Sequence, residues 1–130
     1  MNSIRRGCFE LDVLPQWDSS QDEECLTLTR SDEGAFQLSA FVKREGVVGL
    51  AEIRSFYQKE NPKAELVPAT AGEFSGYMVS FEDGEAKWSK YWIAAENVLV
   101  LATYNGPTGA YLREMPDVYA MLSTLRRVPA

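Results

Sequence analysis

The 130-residue sequence contains no histidine, and this absence excludes several kinds of chemistry. Without an imidazole there is no Ser-His-Asp or Cys-His catalysis, no histidine-based zinc site and no histidine pH switch. Two cysteines cannot form a structural zinc site either. The glycines offer no phosphate cradle, because Gly106-Pro107-Thr108-Gly109 lacks the lysine and the spacing of a P-loop. We therefore expect a protein that is not an enzyme and that has no catalytic residues, no metal site and no cofactor.

Long apolar runs and positive net charge are also missing. No stretch approaches the length of about 18 apolar residues that a membrane span needs. Arg5 and Arg6 are followed by Glu10 and Asp12, not by the apolar run of a signal peptide, which predicts a cytoplasmic location. The net charge of −6 repels phosphate groups, so we expect neither nucleic acid nor membrane as a partner. A basic protein is a compatible partner, although acidity also serves solubility alone.

What the sequence does contain is typical of one globular domain, expected to span residues 1–130: 45% of the residues are hydrophobic and 25% are charged. Alternation predicts strands over 8–14, 25–30 and 35–42, with a polar loop at 18–24. Apolar residues at helical spacing then predict a helix over 48–60. Further strands are predicted near 64–68 and over 73–82, 85–94 and 97–104. After a loop at 105–109, Pro116 is expected to open a second helix, with Asp117 near its start and Arg126 and Arg127 near its end. The predicted order is βββ-α-ββββ-α, an antiparallel α+β fold.

The dipeptide Asp83-Gly84 predicts a two-residue hairpin that pairs Phe81 with Ala86 and Val79 with Trp88. One face of the central strands then carries Tyr77, Val79, Phe81, Trp88, Lys90, Trp92, Leu99 and Leu101. The other face carries Phe74, Met78, Tyr91, Ile93, Val98 and Val100. Both faces are apolar, so both should be covered, most simply by one helix each.

The two cysteines are expected to be free thiols. If the first two strands form a hairpin, Cys8 and Cys25 lie about 15 Å apart along it, given the rise of a strand per residue. A disulfide needs Cα atoms within about 7 Å. Two unpaired thiols fit a reducing compartment.

The aromatic face supports two interpretations. It is either the core, with Lys90 passing a tryptophan towards solvent, or partly an open groove that binds a partner. On the second interpretation the candidate binding residues are Trp17, Tyr77, Trp88, Lys90 and Trp92, and the lysine would orient an acidic group of the partner. A nucleophilic Lys90 is a third interpretation.

A family resemblance covers nearly the whole chain. Leu14-Pro15-x-Trp17 closes the first strand, one helix interrupts the strands, and Met121-Leu122-Ser123-Thr124-Leu125-Arg126 closes the chain. These features resemble the PsbP-like group, which includes the extrinsic photosystem II protein, the Ran-binding import factor, DcrB-like proteins and chaperones of secreted effectors. The resemblance implies an α-β-α sandwich with a twisted antiparallel sheet of about six to seven strands. It also implies a binding or assembly role, and it carries over no catalytic residue.

The leading functional hypothesis is a non-catalytic protein-binding module of a bacterial-type cytoplasm, acting as a chaperone, adaptor or immunity protein. One alternative is a small enzyme or ligand-binding protein with a pocket around Lys90, using Lys90, Tyr77 or Cys8. Another is a homo-oligomeric structural protein, such as a homodimer, that buries the aromatic face against its own copy.

Overall fold

The computed structural model describes residues 2–30, 33–59 and 65–129, which form ten strands and two helices. The strands before the first helix are β1 (Asn2–Arg6), β2 (Phe9–Val13), β3 (Asp18–Gln21), β4 (Leu26–Thr29) and β5 (Ala35–Val42). Helix α1 (Leu50–Lys59) precedes β6 (Val67–Ala71), β7 (Phe74–Asp83), β8 (Ala86–Ala95) and β9 (Val98–Pro107). Helix α2 (Thr108–Leu122) and the short β10 (Arg126–Arg127) follow.

The strands form two antiparallel sheets. The larger sheet has seven strands in the order β3-β4-β5-β9-β8-β7-β6, and the smaller has three in the order β1-β2-β10. The predicted α+β class and the antiparallel sheet are confirmed. The predicted order βββ-α-ββββ-α is wrong, because five strands precede α1 and a further strand follows α2.

The predicted first hairpin is also wrong. Strand β2 pairs with β1 and β10, whereas β4 pairs with β3 and β5. The reason lies in residues 18–24, which were expected to be a loop throughout. Residues 18–21 form the exposed edge strand β3, so the chain leaves the small sheet before it enters the large one. Cys8 lies in the turn between β1 and β2 and Cys25 directly before β4, so the two flank strands of different sheets, and both are unpaired thiols.

The central hairpin differs from its prediction by one turn position. Asp83 pairs with Ala86 and Phe81 with Trp88, so the two turn residues are Gly84 and Glu85. Gly84 has φ of 63°, a positive angle at the first turn position, as in a type II′ turn. Moving the turn by one residue moves every partner by two positions. Because side chains alternate with a period of two, the predicted membership of each face is retained.

The two faces of the large sheet are packed differently. On one face, Trp92, Val79 and Leu99 form a buried cluster with Ile53 and Tyr57 of α1. The next residue, Ile93, points to the opposite face and belongs to the larger core. That core also contains the inward side chains of β2 and the apolar side of α2, with Phe9, Leu11, Val13, Met115, Val118, Met121 and Leu122 among its members. The two helices therefore contact opposite faces of the sheet.

Helix α2 begins earlier than predicted. It starts at Thr108, so Pro116 lies inside the helix and Asp117 is not in its first turn. Arg126 and Arg127 lie in β10 and not at the helix end, so the predicted match of these charges to the helix dipole is wrong. Val118, Met121 and Leu122 of the helix are buried, as is Leu125 shortly after its end. Among the described residues, no helix has both the length and the apolarity to cross a membrane.

Candidate functional site

The face of the large sheet that contacts α1 is covered over only part of its area. Ile53 and Tyr57 pack against Trp92, Val79 and Leu99. The rings of Tyr57 and Trp92 are tilted by 56° with centroids 5.3 Å apart, and Trp92 is only 3% exposed. This end of the aromatic face is core, as the first interpretation of the sequence proposed.

Further along the same strands the face is less completely covered, and three partly exposed side chains there form what we call the aromatic ledge: Phe81, Trp88 and Lys90. Phe81 and Trp88 are cross-strand partners whose rings stack with centroids 5.9 Å apart and an interplanar angle of 5°. Lys90 is two residues beyond Trp88 on β8, so its side chain projects from the same face. The ledge residues are partly exposed, and Trp88 belongs to neither buried cluster.

The lysine of the ledge lies over both rings. Its Nζ is 5.7 Å from the ring centroid of Phe81 and 5.6 Å from that of Trp88. An ammonium at this distance from an aromatic face is attracted by the ring quadrupole. The rings therefore place the lysine charge at a defined position on this partly exposed strip of the sheet.

The open strip continues across β9 and β5, whose residues on this face are neutral. Leu101, Thr103, Gln37 and Ser39 are partly exposed, and they alternate with residues of the larger core. Phe41, at the end of β5, is 60% exposed. The strip thus carries the exposed Phe41 on β5 and the aromatic pair of Phe81 and Trp88 on β7 and β8. Such a mixture of aromatic and neutral polar groups is typical of protein contact surfaces.

The structure separates the five residues that the sequence singled out. Trp88 and Lys90 lie on the ledge, and Trp92 is buried beneath α1. Tyr77 is half-buried with the Arg54 guanidinium 5.3 Å from its ring centroid. Trp17 is remote from them: it lies in the larger core and its Nε1 donates a hydrogen bond to Asp117 Oδ2 over 3.0 Å.

Two polar relationships have no signature in the sequence. Asp117 Oδ2 accepts hydrogen bonds from Gln16, Trp17 and Arg30, and it thereby ties two loops to α2. The buried Glu114 accepts a hydrogen bond from the phenol of Tyr104. These contacts join segments remote in sequence, and periodicity cannot reveal which distant side chains meet. We interpret both as structural, because neither opens onto the ledge.

A half-open cavity of about 370 Å³ lies elsewhere, on the face opposite the ledge, between β6, β7, β8 and α2. Tyr91 and Tyr119 are among its lining residues, whereas Lys90 is not. A pocket around Lys90 was the observation expected to favour an enzyme or a ligand carrier at that residue. The described cavity does not supply it.

Comparisons with known proteins show the fold alone. No family model matches the chain, and no curated protein matches it. A crystal structure of a protein from Bacteroides thetaiotaomicron VPI-5482, at 1.50 Å resolution, is similar to this chain with a TM-score of 0.66 and 21% sequence identity. The similarity covers 93% of this chain and 45% of the other, so the chain spans less than half the length of that protein. The resemblance to the PsbP-like group stays a prediction.

Proposed function

We propose that the chain is a non-catalytic protein-binding domain and that the aromatic ledge anchors its partner. The observation that carries the proposal is the incomplete cover of one sheet face. Helix α1 buries Trp92, whereas Trp88, on the same face of the same strand, remains partly exposed beside Phe81 and Lys90. Tryptophan dominates binding hot spots because it buries a large area with few rotatable bonds. Lys90 would orient an acidic group of the partner.

The proposal includes a role and a location. The role is that of a chaperone, adaptor or immunity protein, as in the PsbP-like group, whose members mostly bind or assemble other proteins. An α-β-α layering, also implied by that group, is supported by the contacts of α1 and α2 with opposite faces. A reducing, cytoplasmic compartment is supported by the unpaired thiols of Cys8 and Cys25.

The test uses the products of the genes that flank this one, each co-expressed with the chain. Affinity for a captured product is measured by titration calorimetry with the wild type and with Trp88→Ala and Lys90→Glu. We expect a loss of at least tenfold for each variant, in line with a hot-spot residue. The matched control is Lys87→Glu, which reverses a charge on the same strand but on the opposite face, where Lys87 lies over the ring of Tyr111.

Two results would decide against the ledge. If Lys87→Glu weakens binding as much as Lys90→Glu, the effect is one of overall charge and not of the ledge. If sedimentation shows that the chain alone self-associates, and Trp88→Ala abolishes this association, the face binds a second copy of the chain. The homo-oligomer would then replace the binding domain as the proposed function.

A further inference from the structure

The cavity opposite the ledge has the features of a small-molecule site, independently of the proposed function. Its volume of about 370 Å³ falls within the range of ligand pockets. Met78 and Tyr91, which are cross-strand partners, lie on one side, and Tyr119 and Leu122 of α2 lie on the other. Since a water occupies about 30 Å³ in the liquid, the space equals about a dozen waters. It suits a molecule built on a single ring or a short aliphatic chain.

The walls of the cavity are held in place by hydrogen bonds at one end. The β6–β7 turn contains Gly72, whose φ is 58° and which lies against the backbone of Leu125. The next residue, Glu73, donates its N–H to the carbonyl oxygen of Leu125 over 2.9 Å. The carboxylate of Glu73 accepts the N–H of Arg127 over 2.9 Å. The sheet edge and the segment after α2 are therefore fixed to each other at this end of the cavity.

The lining determines the chemical class of the ligand. Among its described lining residues there is no Asp, Glu, Lys or Arg, and the ionisable groups are the phenols of Tyr91 and Tyr119. Burial, and then the neighbouring phenol of Tyr119, raise the pKa of Tyr91, so this phenol is neutral at physiological pH. A charged ligand would lose hydration here and gain no counter-charge. A neutral ligand would keep its apolar contacts and could hydrogen-bond to a phenol.

The cavity is open to solvent, with exposed lining residues on both the β6 side and the α2 side. Tyr91 is buried, but Tyr119 is 53% exposed and lies at the rim. An exposed aromatic ring beside an apolar cavity offers a surface for a flat ligand to stack on. We propose that the cavity binds a small uncharged molecule with a ring or a short aliphatic body and one hydrogen-bonding oxygen, positioned by the phenols of Tyr91 and Tyr119.

Benzyl alcohol and benzoate provide a matched pair of probes, one neutral and one anionic. Each is titrated into the labelled full chain and followed through backbone amide chemical shifts. We expect saturable shifts with benzyl alcohol that are centred on Ala69, Met78, Tyr91 and Leu122, and at least tenfold weaker binding of benzoate. Comparable binding of the two probes, or shifts that do not map to these residues, would overturn the proposal.

Two variants test the position of the ligand. Ala69 lines the cavity, so Ala69→Phe should fill part of it and weaken the binding of benzyl alcohol at least tenfold. Ala120→Phe, an equal addition at an exposed position of α2, should leave binding unchanged. Tyr119→Phe should weaken it about three- to tenfold, the net worth of one neutral hydrogen bond. If Ala69→Phe does not fold, the Tyr119→Phe variant still decides. Unaltered affinity of this variant for benzyl alcohol would reject the role of the Tyr119 phenol in positioning the ligand.

Discussion

Tyr104 donates its phenolic hydrogen to Glu114 Oε1 over 2.6 Å, and the two side chains are only 1% and 2% exposed. Tyr104 lies on β9 and Glu114 on α2, so this bond joins the helix to the centre of the large sheet. Gly34 makes room for it, because a Cβ at this position would overlap the hydroxyl of Tyr104. A buried carboxylate is costly unless it is hydrogen-bonded. We therefore expect the pair to control stability.

Replacing Tyr104 by phenylalanine keeps the ring and removes the donor. Hydrogen bonds to charged groups contribute about 1.5–3 kcal/mol, and we expect Tyr104→Phe to lower the free energy of unfolding by this amount. Urea denaturation followed by circular dichroism measures the change. Tyr119→Phe is the control: this phenol is half-exposed, so its loss should cost less than the loss of the buried Tyr104 donor. Equal effects of the two variants would show that the bond to Glu114 adds nothing.

The same phenol predicts how stability depends on alkaline pH. Burial first, and then the hydrogen bond to Glu114, raise the pKa of Tyr104, and burial also raises that of Tyr91. Above the unfolded pKa of about 10, the unfolded chain loses protons that the folded chain retains. Stability is thus fully present below pH 10 and declines as pH rises above it, by up to about 1.4 kcal/mol per pH unit for each retained proton.

Urea denaturation between pH 9 and pH 11.5 tests this dependence, provided that unfolding stays reversible. Tyr104→Phe should show a shallower decline above pH 10, because one of the retained protons is gone. Absorbance at alkaline pH gives a second readout, since the chain has six tyrosines and the buried ones should ionise only as it unfolds. A wild type and a variant with identical slopes would contradict the assignment of a raised pKa to Tyr104.

The comparison of sequence and structure shows why faces were easier to predict than partners. Phe81 and Trp88 were placed on one face by alternation, although their predicted partners were Ala86 and Val79. An error of one turn position moves each partner by two residues, so it does not change which side chains share a face. In contrast, Asp18–Gln21 is a strand because β4 offers a free edge to pair with, and its polar residues carry no alternation of their own. Pro116 likewise lies inside α2, although the sequence predicted it at the first turn of that helix.

The candidate site was predictable only in part, for a related reason. The sequence identifies Trp88 and Trp92 as members of one aromatic face, but the extent of that face covered by α1 depends on how the helix packs. In the structure Ile53 and Tyr57 lie against Trp92, and Trp88 is outside that cluster. Nothing in the sequence distinguishes these two tryptophans. The cavity beside Tyr91 was missed for the same cause, since its walls come from four separate elements.

Two glycines at hairpin turns predict different costs for the same substitution. Gly72 and Gly84 have similar positive φ angles, 58° and 63°. A Cβ at Gly84 would meet open space, so Gly84→Ala should cost only the backbone strain, about 1–2 kcal/mol. A Cβ at Gly72 would overlap the carbonyl oxygen of Leu125, so Gly72→Ala should cost more than about 3 kcal/mol. Thermal or urea unfolding of both variants measures the difference, and equal costs would mean that the turn does not press on Leu125.

Trp88 and Trp92 are the most direct test of where core ends and contact surface begins. They share a residue type, a strand and a face, and they differ in burial. Trp92 is enclosed by Ile53 and Tyr57, so Trp92→Ala should lower the free energy of unfolding by about 3–5 kcal/mol. Trp88 is partly exposed, stacks on Phe81 and lies beside Lys90, so Trp88→Ala should cost less, about 1–3 kcal/mol.

Urea denaturation of the two variants beside the wild type gives both free energies, and unchanged slopes against urea would show that the compactness of the two states is preserved. The predicted gap has a functional consequence. A ledge that contributes little to folding can be altered at Trp88 without loss of the domain, so a weaker partner affinity in Trp88→Ala is then attributable to the contact itself. If Trp88→Ala instead destabilises the chain as much as Trp92→Ala, the ledge is core, and the binding surface has to be sought at Phe41 and the neutral strip beside it.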